Sequence, residues 1–153
     1  MVKRKSLSVI VLTVFISSLI SFSFLQEASA ELEMTVYKSP TCGCCGKWIT
    51  HMKENGFKVK AVDMIEMNIV KEKYGITRNL ASCHTAIIDG YYIEGHVPAA
   101  DVKRLLAEKT DSKGLTVPGM PVGSPGMEMG DRVDSYQVLS VKSDGSTEVF
   151  NQY

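Results

Sequence analysis

The sequence has no surplus of charge: 17 basic and 17 acidic residues give a formal net charge of zero. It lacks a basic block, so it offers no electrostatic footprint for nucleic acid. It also lacks internal repeats and low-complexity tracts, which excludes solenoid and linker architectures. Cysteine is scarce, with four in 153 residues. None lies near residues 28–30, which removes the simplest route to a lipid-anchored form. The paired Cys-x-x-Cys repeats of a zinc ribbon are missing, and so are the usual iron–sulfur spacings.

The first thirty residues read as a leader. Lys3, Arg4 and Lys5 form a positive start, Leu7 to Leu25 is free of charge, and Ala28-Ser29-Ala30 is a small-residue cleavage pattern. This predicts a secretory signal over residues 1–30, cut after Ala30, with export and no stable membrane insertion afterwards. An uncleaved anchor is the competing reading, opposed by the serines that dilute the run. Lys3, Arg4, Lys5 and Glu27 belong to the leader, so residues 31–153 keep 14 basic and 16 acidic residues, about −2. Apolar residues make up 44% of the chain, enough to build a core without disulfides.

Met34-Thr35-Val36-Tyr37 predicts a strand that ends at Ser39-Pro40, with the cysteine cluster following at once. Trp48, Ile49 and Met52 have helical spacing from Gly46 to a stop at Gly56. Phe57 to Val62 alternates as a strand, and Ile65 to Tyr74 reads as a helix. Thr85 to Ile88 and Tyr91 to Ile93 flank the hairpin turn Asp89-Gly90, and Pro98 opens a helix through Ala107. The resulting βαβαββα order is an α/β, thioredoxin-like arrangement with the cysteines where strand one meets helix one. Residues 110–153 read as an extension packed on the same core. It comprises a Pro/Gly/Met loop over 117–130 and a β-hairpin around Asp144-Gly145.

Cys42, Cys44 and Cys45 lie on one tight turn, which Gly43 lets fold sharply, at a helix N-terminus that favours thiolate over thiol. Three thiolates so close repel one another unless protons or a cation intervene. Cys83 stands alone before the third strand, in the loop that adjoins the redox motif of a thioredoxin-like fold, and is a fourth candidate ligand. Beside it His84 is a ligand or a solvated strand-start residue, whereas His51 is expected to face solvent and His96 to cap or orient the turn before Pro98, each at most a weak candidate ligand. Consecutive Cys44 and Cys45 are expected to diverge from a single tetrahedral centre, which disfavours zinc, while crowded bridging sulfurs suit Cu(I). Met120 and Met127 sit in an aperiodic loop, either as soft ligands at the site wall or as core gap-fillers.

Four blocks carry a resemblance: Cys42-Gly43-Cys44-Cys45, Ser82-Cys83-His84-Thr85-Ala86, Glu94 to Ala99, and Val117 to Glu128. In this order they resemble the signature of the CopG-type periplasmic metal-binding family. The resemblance implies a thioredoxin-like fold, a periplasmic location, a role in copper resistance and a cysteine-bridged cluster of several copper ions. Cys42, Cys44, Cys45 and Cys83 would be its thiolates, with Met and His residues nearby.

Three functions are therefore expected in order. The first is copper binding for sequestration or Cu(I)/Cu(II) conversion. The second is thiol–disulfide exchange by Cys42 and Cys45. The third is copper delivery to an exporter or another envelope copper protein.

Overall fold

A computed structural model of the chain describes residues 32–153; the leader expected over residues 1–30, with its cleavage after Ala30, lies outside them. The elements are β1 (Leu32–Lys38), α1 (Gly43–Glu54), β2 (Phe57–Asp63), α2 (Met67–Lys73), a 3-10 turn (Arg78–Leu80), β3 (His84–Ile88), β4 (Tyr91–Glu94), α3 (Ala99–Glu108), β5 (Gly114–Thr116), β6 (Gln137–Val141) and β7 (Thr147–Gln152). Through α3 they follow the expected order.

All seven strands join one mixed sheet in the order β2-β1-β3-β4-β5-β6-β7. β1 runs parallel to β2 and β4 parallel to β5, and the other neighbours are antiparallel. The C-terminal hairpin is thus not a separate layer on the core. It continues the sheet through β5, a three-residue strand too short to show the alternation that announces a strand in sequence.

Side chains alternate between the sheet's faces. Met34, Val36, Ala86, Ile88, Ile93 and Leu115 face Trp48, Ile49 and Met52 of α1 and Val102 and Leu105 of α3, forming the main core. Tyr92, one residue before Ile93, turns to the other face and packs with Ile76, Leu80 and Val141. Trp48 anchors the main core: it is fully buried, donates its indole N–H to the Val97 carbonyl at 2.9 Å, and lies 4.4 Å from the His84 ring.

Helix α1 starts at Gly43, three residues earlier than the apolar spacing predicts. Cys42 is its N-cap in an extended conformation (φ −78°, ψ 95°), and the Cys42 Sγ accepts the Cys45 N–H at 3.3 Å. A sulfur does here what a Ser or Asp oxygen does at most helix starts. Cys44 and Cys45 therefore occupy the first turn of the helix rather than a turn leading into it. Gly43 is not needed for a sharp bend either: its φ is not positive, and a Cβ there would meet nothing within 4 Å.

Candidate metal centre

The end of β1, the first turn of α1 and the start of β3 converge because β1 and β3 are neighbours, with Lys38 opposite His84. Cys83, immediately before β3, is thereby set against α1. The four cysteine sulfurs all lie within 4.8 Å of one another. Cys42 Sγ is 3.4 Å from Cys44 Sγ, while Cys83 Sγ is 3.9 Å from Cys44 Sγ and 3.5 Å from Cys45 Sγ. Cys45 is fully buried and the other three are half-buried.

This corrects one expectation. The Cys44 and Cys45 sulfurs do not diverge, because Cys83 reaches between them from another element while Cys44 turns back toward Cys42. Two sulfurs bound to one metal at about 2.3 Å stand at most about 4.6 Å apart, and the three non-bonded separations above fall inside that limit.

Cys42 and Cys45 form a disulfide, with Cα atoms 5.4 Å apart, and Cys44 and Cys83 are free thiols. Opening the disulfide takes two electrons and two protons and yields a four-thiol donor set. Burial, then the adjacent Cys44 sulfur, pushes the Cys83 thiol up to about 12. A cation entering the cluster must displace that proton.

Two histidines extend the donor set. Cys83 Sγ lies 3.4 Å from His84 Nδ1 and 3.1 Å from His96 Nε2, and the three form a mixed sulfur–nitrogen group. Burial lowers the pKa of both imidazoles; for His84 the effect is large, with His96 and Lys71 adding to it. Both rings are therefore neutral near pH 7. The Pro125 carbonyl, 2.8 Å from His96 Nδ1, can only accept, so the His96 proton sits on Nδ1 and the Nε2 lone pair faces Cys83.

His84, expected as a ligand or a solvated residue, is fully buried beside Cys83. His96, expected to cap or orient a turn and at most a weak ligand, has Nε2 closer to the sulfur than His84 Nδ1 is. The hairpin held the missed signal: a two-residue turn at Asp89-Gly90 pairs Thr85 with Glu94, and counting two residues further sets Cys83 level with His96. His51 departs from its expected place in solvent. It is half-buried, its Nε2 accepts the Ala99 N–H at 3.1 Å and so caps α3, and burial lowers its pKa.

The 117–130 loop lies along the site. Gly119 N–H donates to the Ala81 carbonyl at 3.1 Å, and Gly126 packs on the first turns of α1. At Gly126 φ is +85°, and a Cβ would stand 2.8 Å from Trp48 N and 2.9 Å from Cys44 O, so only glycine permits this approach. Each anchor holds the residue next to a methionine. Met120 is 51% exposed and Met127 half-buried, so Met120 does not fill the core.

The model of a family described as "Protein of unknown function, DUF411" matches residues 80–127, the stretch that carries Cys83, His84, His96, Met120 and Met127. No curated protein matches the chain. Two similar solved structures are described as "Copper resistance protein copG", Form 2 and Form 1. The first is 48% identical with a TM-score of 0.78, and the second 49% identical with a TM-score of 0.77. Each match covers 80% of this chain and 98% of the other. Identity of this extent along a shared fold, with the cysteine cluster at its centre, places the chain in the CopG copper-resistance family.

Proposed function

We propose that the chain is an exported copper-binding protein that holds Cu(I) as a thiolate-bridged cluster, sequestering the ion or converting it between Cu(I) and Cu(II). The observation that carries this reading is the convergence of four sulfurs within 4.8 Å, in a chain whose similar structures are described as copper-resistance proteins. Cys42, Cys44, Cys45 and Cys83 are the bridging donors, and the neutral His84 and His96 supply nitrogens at Cys83. Soft thiolates favour Cu(I) over hard cations, and bridging sulfurs let several ions share few ligands.

The role of each thiol can be read from copper content. In reduced protein, Cys44→Ser lowers the number of Cu(I) ions bound per chain and leaves the fold intact, measured by metal analysis beside circular dichroism. Unchanged copper content would remove Cys44 from the site. Met120 and Met127, each beside an anchor of the 117–130 loop, are assigned as soft thioether donors to the ion. Met120→Leu keeps the size and loses the soft donor. It lowers Cu(I) affinity by roughly threefold, a weak ligand's share, with no change in thermal midpoint; equal affinity in a chelator competition would make Met120 a surface residue only.

The Cys42–Cys45 disulfide favours a second reading, thiol–disulfide exchange, with Cys42 at the helix N-terminus as nucleophile. The two readings separate cleanly. An exchange enzyme reduces a substrate disulfide catalytically without copper, and keeps doing so when Cys44 is serine.

A further inference from the structure

Glu94 on β4 is charged and fully buried. Its Oε1 accepts the Ser82 N–H at 2.6 Å and pairs with Lys71 Nζ, and its Oε2 accepts the Thr85 hydroxyl at 2.6 Å. Lys71, from α2, is itself buried and donates to Thr85 Oγ1 at 3.2 Å as well. A buried ion pair of this kind is weak evidence for stability, because apolar residues of similar volume often do as well or better. Ile76, Leu80 and Tyr92 already make this face of the sheet apolar.

What the pair holds is more informative. Ser82 and Thr85 stand on either side of Cys83 and His84. Ser82 and Cys83 precede the first residue of β3, so the sheet ladder does not fix them; the carboxylate does. Two residues after Glu94 comes His96, joined by Gly95, whose N–H donates to the His84 carbonyl at 3.0 Å. Gly95 has φ +73°, and a Cβ there would stand 2.5 Å from the Ser82 side chain, so the segment runs hard against Ser82. Ser82 Oγ in turn donates to the Gly119 carbonyl, linking the same point to the methionine loop.

We propose that Glu94, with Lys71, is the positioning pair of the metal centre: through Ser82 N–H and Thr85 Oγ1 it holds Cys83 Sγ against the cysteines of α1. The role rests on the copper–thiolate reading above, and it extends that reading to two residues that touch no sulfur. Partners one step beyond the ligands act in this way at many metal sites.

The test separates positioning from stability. In Lys71→Met/Glu94→Leu neither charge nor acceptor remains, so no charge is left unpaired. This variant leaves Ser82 N–H and the buried Thr85 hydroxyl without their acceptor, so its thermal midpoint falls by several degrees; in protein still folded at the assay temperature it is expected to lose about tenfold or more in Cu(I) affinity, the usual cost of a lost outer partner. Lys71→Met/Glu94→Gln keeps an acceptor for Ser82 N–H and is expected to recover most of that affinity. A second readout needs no copper: in reduced protein, a short bis-alkyl halide joins Cys83 to the cysteines at the start of α1 by two S–C bonds, releasing two halides, and its yield falls in the Leu variant and returns in the Gln variant. Wild-type affinity and wild-type cross-linking in both would overturn the proposal. Should the Leu variant not fold, Thr85→Val, which cuts one arm of the network, is expected to lower both readouts, and unchanged values there would overturn it equally. A wild-type protein that binds no Cu(I) but shows the cross-linking pattern would sink the copper reading and leave the positioning role standing.

Discussion

Replacing Cys83 by serine is expected to abolish most copper binding while leaving the fold in place. Cys83 is the hub of the proposed donor set. It reaches both Cys44 and Cys45 from the β3 side of the sheet's β1–β3 pair, and among the described cysteines it alone meets the two histidines, at 3.4 and 3.1 Å. Without its sulfur the cluster divides into a three-cysteine turn and a histidine pair with no shared ligand. The affinity loss should exceed the roughly 10–100-fold that follows removal of an outer partner. The side chain is half-buried and serine is nearly its size, with a hydroxyl that can still donate to His96 Nε2, so the stability change stays within about 1 kcal/mol. Chelator competition and thermal unfolding check the two halves. Wild-type copper affinity in Cys83→Ser would move the centre wholly onto α1.

The second large effect is structural, at Gly126. A valine there is expected to cost about 2–4 kcal/mol, from the left-handed backbone and from overpacking against helix backbone that cannot yield. The left-handed φ of +85° and the 2.8 Å approach of a Cβ to Trp48 N are its two causes. That corresponds to a fall of roughly 10 °C or more in thermal midpoint. Copper affinity should fall with it, since Pro125, next in the chain, accepts the proton that sets the His96 tautomer. A valine variant with the wild-type midpoint would show that the loop does not sit on α1 in solution.

Much of this was legible in the residues. The strand–helix alternation, the hairpin at Asp89-Gly90 and the apolar stripe of Trp48, Ile49 and Met52 rest on local periodicity, and local periodicity survives into the fold. The meeting of Cys83 with the cluster was inferred from the expected topology, and the β1–β3 pairing produces it.

Other features depend on what no local pattern encodes. The start of α1 lies before the predicted one because a cysteine seldom serves as N-cap, and the short β5 has too few residues for alternation to be visible. The divergence expected of Cys44 and Cys45 treated α1 in isolation, and a third sulfur from another element changed the geometry. His96 and the Glu94–Lys71 pair belong to the register of a hairpin and the packing of α2, so they emerge only once strands are paired.

One measurement bears most directly on the central claim. The reduced protein, residues 31–153, is titrated anaerobically with Cu(I), and its free thiols are counted with and without the metal. Four thiols titrate in the metal-free protein if the Cys42–Cys45 disulfide has been opened, matching the four cysteines of the sequence. More than one Cu(I) is expected to bind per chain, with all four thiols protected together and returning when a chelator removes the copper. Four thiols that stay reactive in the presence of Cu(I), with no copper retained, would contradict the claim.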